Sequence, residues 1–200
     1  MTDDRALVFQ NIRQALAKRS ESERAAMPEW RDETVVCRVP GTFGSLAEHF
    51  RFKFQAAGGI VITGRGELAK FIEGRGLKHG YADPALGLNM TGVELESVLD
   101  RTRVDDYEFG ITRGTAAVAE TGSLLITERD TSSRLAALVP WVHIVVLEAS
   151  QIVPDVPSAL RLLGDDRAAL FVTGPSKTAD VEGILIQGVH GPGVQVCCLV

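Results

Sequence analysis

The sequence predicts an α/β protein built on a mainly parallel β-sheet that is flanked by helices. Strand-like apolar runs alternate with amphipathic helical segments along most of the chain. Several runs, such as Ile144-Val145-Val146-Leu147, are continuously apolar. A continuously apolar strand is typical of a parallel sheet with both faces covered by helices. Ligands of such sheets bind beyond the carboxyl ends of the strands.

The first predicted element is a helix over residues 3–19, where Leu7, Ile12 and Leu16 recur at near-helical spacing. A polar stretch follows this helix as far as residue 33. Residues 1–34 are therefore interpreted as an N-terminal helical arm and linker. Residues 35–200 are interpreted as the α/β domain.

Within the α/β domain, a helix is predicted over 44–57 because Leu46, Phe50 and Phe54 share one helical face, and Gly58-Gly59 ends it. A short β-branched run at 34–39 precedes this helix as a strand. The later predictions, in order, are strand 60–63, helix 67–73, irregular stretch 77–89, helix 94–101, strand 107–112, turn or short helix 113–120, strand 122–127, helix 133–139, strand 143–147 and helix 157–163.

The C-terminal stretch 174–193 joins apolar runs at 168–173 and 194–200. Its glycine–proline turns predict a strand, a helix and a closing strand. Ser176 and Thr178 are candidate N-caps of that helix, and the acids Asp180 and Glu182 follow early, where they favour the helix dipole. The alternative is an anion or sugar site, with Lys177 and backbone amides as donors.

Composition excludes several classes of function. The net charge of −5 disfavours a general role in nucleic-acid binding, which needs a concentrated basic face. No run of about 18 apolar residues predicts a membrane span, and the acidic N-terminus lacks a signal core, so a cytoplasmic protein is expected. The three cysteines, Cys37, Cys197 and Cys198, form no Cys-x-x-Cys pattern. We therefore expect no iron–sulfur cluster in this chain, because such clusters need about four thiolates.

Two weak patterns concern cofactors. Gly64-x-Gly66-x-x-Ala69 follows a strand, and Asp83 lies at a distance that fits a dinucleotide-binding fingerprint loosely. A plain strand–helix turn is the favoured interpretation. The histidines His49, His79 and His143 show no ligand spacing, so no metal site is predicted.

Glu120 is the candidate catalytic residue. It lies among small residues immediately before an apolar strand, where a desolvated carboxylate serves as nucleophile or general base. The structural alternative is that Glu120 bridges backbone amides in a tight turn. The neighbouring hydroxyls of Thr115, Thr121 and Ser123 favour a polar pocket.

A series of motifs in the second half of the chain resembles the LUD-domain family, in particular its lactate-utilisation branch. The series spans about residues 110–200 and comprises Gly110-Ile-Thr, Ala-Val-Ala-Glu-Thr-Gly-Ser ending at Ser123, Leu138-Val-Pro, His143-Ile-Val-Val, Gln151-Ile-Val-Pro, Gly-Pro-Ser-Lys-Thr-Ala-Asp-Val-Glu at 174–182 and Gly188-Val-His-Gly-Pro. The family's signature positions carried over by motif are Glu120, Thr121, Gly122, Gly174, Ser176, Thr178, Asp180, Glu182, His190 and Gly191.

The resemblance implies a fold like that of the ribose-phosphate isomerase and CoA-transferase-like superfamily. It also implies a role in oxidising L-lactate to pyruvate, within a three-component system whose other members carry iron–sulfur clusters. This chain would be the non-cluster subunit and would bind substrate or a small anion at the strand ends. The alternatives are a stand-alone CoA-transferase-like or ligase-like enzyme that uses Glu120, and a scaffold or regulator with a vestigial pocket.

Overall fold

The computed structural model describes residues 4–18, 43–166, 168–179 and 185–200. The chain divides into two compact units, Met1–Cys37 and Arg38–Val200. In the first unit, the described part is helix α1 (Asp4–Ala17), which has no buried residue. No helix in the described ranges combines the length and apolar character that crossing a bilayer requires. The strand predicted at 34–39 lies outside the described residues.

The second unit combines strands and helices, but they do not alternate throughout as predicted, because several strands follow one another without an α-helix between them. Its described elements are α2 (Leu46–Ala56), β1 (Ile60–Thr63), α3 (Gly64–Gly74), β2 (His79–Ala82), β3 (Glu94–Glu96), β4 (Phe109–Arg113), β5 (Ala116–Val118), β6 (Ser123–Thr127), β7 (Val142–Leu147), β8 (Ile152–Val153), α4 (Val156–Arg161), β9 (Ala169–Val172), β10 (Lys177–Ala179), β11 (Leu185–Gln187) and β12 (Val194–Leu199). Short 3-10 helices lie at Pro84–Leu86, Val104–Asp106, Arg134–Ala137 and Ala149–Gln151.

The main sheet has six strands in the order β1-β12-β7-β4-β2-β3, and every neighbouring pair is parallel. This confirms the predicted fold class. Strand β7 lies near the centre, and all six of its residues are buried. Its continuous apolar character follows from this position, because both faces of a parallel sheet are covered.

Each face of the main sheet packs against its own core. On one face, Phe50 and Phe54 of α2 pack with Val145 and Leu147. On the other face, Leu68 and Ile72 of α3 pack with the alternating residues of β7 and β12. The side chains of a strand alternate between faces, so one buried strand contributes to both cores.

A second, four-stranded sheet has the order β8-β5-β6-β9. Strands β5 and β9 pair antiparallel with β6, and β8 pairs parallel with β5. The turn or short helix predicted at 113–120 is therefore wrong. Ala116–Val118 is a fully buried strand, and its small residues resemble a turn in sequence because they carry little hydrophobic bulk.

The helix predicted at 94–101 is also wrong. Glu94–Glu96 forms β3, whose residue Glu94 pairs with His79 of β2. Only Leu95 of this short strand is apolar, so tertiary pairing decides its conformation and local propensity does not.

The crossover helix predicted at the C-terminus is wrong in its described part. Lys177–Ala179 is strand β10, and it pairs antiparallel with β11. Thr178 therefore lies in a strand and caps no helix. The Ser176 amide donates to the Pro192 carbonyl at 2.9 Å, which closes the base of this hairpin. Asp180 and Glu182 lie outside the described residues.

One glycine fixes how closely the main sheet packs against the 3-10 helix Arg134–Ala137. A Cβ atom on Gly110 of β4 would collide with the carbonyl oxygen of Ala136. This neighbour is backbone, so it cannot move aside as a flexible side chain would.

We predict that Gly110→Ala lowers the free energy of unfolding by about 2 kcal/mol or more, because it overpacks a buried backbone contact. The control is Gly74→Ala at the end of α3, where a Cβ atom would meet nothing within 4 Å. Gly74→Ala should be neutral or stabilising by up to about 1 kcal/mol. Urea unfolding measures both changes, and equal stabilities of the two variants would contradict the packing argument.

Candidate functional site

The candidate site is a cavity of about 480 Å³ at the carboxyl-terminal edge of the main sheet. The ends of β4, β7 and β12 supply one part of its lining, and the start of α3 and the loop after β6 supply another. The lining residues are Arg65, Ala85, Leu86, Arg113, Gly114, Thr115, Arg129, Asp130, Val146, Leu147, Glu148, Gln151, Leu162 and Val200. This is the edge at which parallel α/β sheets bind their ligands.

Three arginines give this cavity its positive character. Arg129 is fully engaged, because its guanidinium donates to Asp130 and to the Leu162 carbonyl. Arg113 donates through Nε to Asp83 at 3.1 Å, while its Nη groups bond to no described residue. Arg65 makes no hydrogen bond or ion pair with the described part of the chain. Arg113 and Arg65 therefore have N–H donors for an anion.

Asp83 holds Arg113 in place. Its side chain is 1% exposed, and its two oxygens accept five hydrogen bonds. The donors are the Ala85 amide, the Arg113 guanidinium, the Thr131 hydroxyl, and the amide and hydroxyl of Ser132. Burial alone would raise the pKa of Asp83, but the Ser132 and Ala85 amides and the Arg113 charge outweigh it and hold that pKa below 3.8. The carboxylate is therefore charged at neutral pH.

The cavity lining also carries hydroxyl and carboxylate groups. The Thr115 and Thr127 hydroxyls are 2.8 Å apart, and the Thr127 hydroxyl donates to Asp130 at 3.1 Å. The hydrogen bond from Arg129 is the largest factor that lowers the pKa of Asp130. Gln151 donates its amide to the carbonyls of Gly114 and Thr115, which fixes the strand end beside Arg113. A lining that combines arginines with hydroxyl and carboxylate oxygens can bind a ligand that has both an anionic group and a hydroxyl group.

Of the residues predicted from sequence, Thr115 lines this cavity. Thr121, Gly122 and Ser123 lie in and after the β5–β6 turn, near the end of α2. Hydroxyls connect Thr121 to Ser123 at 2.7 Å and Ser123 to Thr173 at 2.6 Å. The structure therefore brings the β5–β6 turn and the residue that precedes the C-terminal stretch together.

Two signature glycines allow this turn and this stretch to contact α2. Gly122 has φ +69°, and a Cβ atom there would lie 2.6 Å from the Lys53 carbonyl carbon. Gly174 has φ +77°, and a Cβ atom there would lie 2.6 Å from the Ala57 carbonyl oxygen. A side chain at either position would be strained in conformation and would collide with backbone.

The remaining predicted residues that the structure describes lie at or near the amino-terminal edge of the main sheet, away from the cavity. The Val194 amide donates to the Trp141 carbonyl where β12 and β7 begin, and this contact places the preceding hairpin at that edge. Thr178 is half-buried in β10, and His190 is exposed. Gly191 packs beside Ser176, because a Cβ atom added to Gly191 would lie 3.4 Å from the Cβ of Ser176.

Glu120 lies in the β5–β6 turn, half-buried, and its amide donates to the Pro154 carbonyl at 3.0 Å. The cavity lining does not include it. The dinucleotide fingerprint does not form either, because β1 is an edge strand and three strands separate it from β2, which precedes Asp83. Gly64 and Gly66 open α3, in agreement with the plain strand–helix turn.

Sequence reasoning missed the arginines of the cavity and the role of Asp83. Arg65, Arg113 and Arg129 are far apart in the chain, so they form no local motif. The pattern that they share is that each lies at or just after the end of a strand. Arg65 and Arg113 lie just after the predicted strands 60–63 and 107–112, so a search for charged residues at strand ends would have found both.

Comparison with known proteins places this geometry in a family context. The family model described as the LUD domain matches residues 68–200. Lactate utilization protein C of Deinococcus radiodurans is 30% identical over 118 residues, which cover 56% of this chain and 56% of that protein. Lactate utilization protein C of Exiguobacterium sp. is 37% identical over 93 residues, which cover 42% of this chain and 40% of that protein. The chain thus spans about half, or less, of the length of these relatives.

A solved structure has a similar fold. The crystal structure of a DUF162 family protein from Deinococcus radiodurans superposes with a TM-score of 0.60 at 21% sequence identity. The match covers 80% of this chain and all of that chain. At this level of identity the likeness concerns the fold.

We predict that Asp83→Asn lowers the free energy of unfolding at pH 7 by about 2 kcal/mol, because it removes the charge partner of partly exposed Arg113. The folded-state pKa of Asp83 is depressed, so its stabilisation is present above 3.8 and is lost as pH falls through the folded-state pKa. The difference from wild type should shrink between pH 7 and about pH 3. Urea unfolding at both pH values tests this, with exposed Asp105→Asn as the control. A difference independent of pH would contradict the charge argument.

Proposed function

The chain belongs to the LUD-domain family, and on that premise we propose that it is a component of a system that oxidises L-lactate to pyruvate. In this proposal, the cavity at the carboxyl-terminal edge binds the carboxylate of lactate or pyruvate. The family match over 68–200 confirms the resemblance found in the sequence. Relatives named lactate utilization protein C support the metabolic role.

Arg113 is the observation that carries the binding proposal. It ends a central strand of the sheet, and its Nε–H is held by the buried carboxylate of Asp83. The planar guanidinium presents its other donors in a fork that matches a carboxylate. Because the Asp83 hydrogen bond fixes that fork before a ligand arrives, little side-chain entropy is lost on binding.

The hydroxyl and carboxylate groups of the cavity lining support an α-hydroxy acid in particular. Asp130 and Thr115 supply acceptor oxygens for the hydroxyl of lactate. A simple anion without a hydroxyl group needs no such acceptors. In this proposal, the carboxylate of lactate binds Arg113, and the hydroxyl on the adjacent carbon donates to Thr115 or Asp130, which line the same cavity.

Oxidation of lactate releases two electrons and two protons, so the system requires an acceptor. We propose that iron–sulfur partner proteins accept the electrons. Cys197 and Cys198 of this chain are fully buried, and burial raises the pKa of both thiols, that of Cys198 to about 11. Buried, protonated thiols are poor cluster ligands, which supports the role of a non-cluster subunit.

The alternative of a CoA-transferase-like or ligase-like enzyme depends on Glu120 as nucleophile. Glu120 lies in a hairpin turn outside the cavity lining, so the geometry favours the lactate-binding proposal. The role of Glu120 stays a prediction.

We predict that Arg113→Gln weakens binding of lactate or pyruvate about 10- to 100-fold, because it removes a charge-assisted pair of hydrogen bonds. The matched control is Arg75→Gln, an exposed arginine at the end of α3 whose guanidinium lies 4.8 Å from the Phe71 ring centroid. Isothermal titration calorimetry on the purified chain measures both affinities. Equal affinities of the Arg113 and Arg75 variants would remove Arg113 from the site.

We also predict that an organism deprived of this chain loses growth on L-lactate and keeps growth on pyruvate. The wild-type chain and the Arg75→Gln variant should restore growth on L-lactate, and Arg113→Gln should not. Oxidation of L-lactate by the purified chain without partner proteins would overturn the subunit proposal.

A further inference from the structure

A second group of chemically active side chains lies at the start of β2, at the opposite end of this strand from Asp83. Strands β2 and β3 pair in parallel, with His79 opposite Glu94 and Tyr81 opposite Glu96. Because residues two apart on a strand share a face, His79, Glu94 and Glu96 project from one side of the sheet. One nitrogen or oxygen atom from each of the three lies within 4.8 Å of the other two.

The imidazole of His79 is oriented by its backbone contact. Its Nδ1 lies 2.9 Å from the carbonyl oxygen of Asp106, which can only accept a hydrogen bond. Nδ1 therefore carries the proton, and in neutral His79 the lone pair lies on Nε2. Nε2 lies 2.9 Å from Oε1 of Glu96, which also only accepts. A lone pair facing a carboxylate requires a cation, either a proton on Nε2 or a metal ion.

Glu96 is held in position by groups outside this cluster. Its Oε2 accepts a hydrogen bond of 2.6 Å from the Tyr107 hydroxyl, whose oxygen in turn accepts from the Asp100 amide. Oε1 faces His79, with the half-exposed Arg103 at 3.3 Å. A histidine fixed through Nδ1 and a carboxylate fixed through its second oxygen are the outer-shell contacts that metal ligands typically have.

We propose that His79, Glu94 and Glu96 bind a divalent transition-metal ion of the Zn²⁺ class. Imidazole nitrogen and carboxylate oxygen are ligands that such ions accept. Tetrahedral bonds of about 2.0–2.1 Å place ligand atoms about 3.3 Å apart, so the gap between His79 and Glu96 need open by only a few tenths of an ångström. Arg103 moves outward, where Asp106 already binds its Nε.

The consequence of this site is a link between the edge strand and the rest of the sheet. β3 has three residues and pairs with β2 alone among the described strands. A metal ion bound from both strands fastens this edge, and three protein ligands leave a fourth position for water. The site is independent of the lactate cavity and of the proposed function.

The test is titration of the chelator-treated full chain with Zn²⁺ and with Co²⁺. We expect binding of one ion per chain, an increase in thermal stability, and a Co²⁺ absorption spectrum of nitrogen and oxygen ligands. Glu94→Gln should weaken binding about tenfold or more, because loss of a ligand costs at least as much as loss of an outer-shell contact. This exposed substitution leaves the contact between His79 and Glu96 intact, so it separates a metal site from an ion pair.

Glu73→Gln, an exposed glutamate of α3, is the matched control and should bind as wild type does. Tyr107→Phe should weaken binding about tenfold through Glu96. The proposal is overturned if Glu94→Gln retains wild-type affinity, if neither ion binds with unit stoichiometry, or if the Co²⁺ spectrum shows thiolate charge transfer, which would place the ion at a cysteine. In those cases, His79 and Glu96 form an ion pair with a protonated imidazole.

Discussion

Burial of strand β7 on both faces is the constraint that organises this domain. Both faces must be covered, so α3 covers one, and α2 with the second sheet covers the other. The one polar side chain of β7, His143, is fully buried between Thr112 and Gln195 on the neighbouring strands, at 2.9 Å from each. Burial lowers the pKa of His143 to about 4, so the ring is neutral at physiological pH. A shift of one residue in the pairing of β7 with β4 or with β12 would break these hydrogen bonds. The buried hydrogen bonds of His143 with Thr112 and Gln195 therefore fix the register of the three central strands.

Buried side chains fill the centre of the sheet, so most polar groups lie at its carboxyl-terminal and amino-terminal edges. These two edges differ in character. At the carboxyl-terminal edge, Arg113 and Arg65 present donors to a cavity. At the other edge, the family's signature motifs form close backbone contacts, in which Gly122 and Gly174 lie against α2. A signature built on glycines at positive φ is specific because few other residues tolerate that geometry. It therefore identifies the family through packing and carries little information about the reaction.

The contrast between the buried centre of the sheet and its polar edges also explains which elements could be predicted from the sequence. Strands β1 and β7 and helix α2 were predicted because their burial leaves a clear pattern of apolar residues. β3 and β5 were not, because Glu94-Leu95-Glu96 and Ala116-Ala117-Val118 owe their conformation to pairing partners far along the chain. The hairpin of β10 and β11 was not predicted for a related reason. Residues such as Ser176 and Thr178 occur both at helix starts and in turns between strands, so their presence does not distinguish the two. The cavity could not be predicted as a unit, because segments far apart in the chain form its lining.

Strand β2 shows that residues of the two candidate sites lie where the sequence pattern is weak. The stretch 77–89 seemed irregular in sequence, yet it carries His79 at the start of β2 and Asp83 just beyond its end. Its position is fixed by Gly80, where a Cβ atom would lie 2.5 Å from the Phe109 ring, so the strand can approach β4 only without a side chain there. Around β2, polar residues such as His79 and Asp83 replace the apolar residues that would make a strand recognisable. A short strand at the side of the sheet can accept polar residues. The central strand β7 carries one polar side chain, that of His143, and it is hydrogen-bonded on both sides.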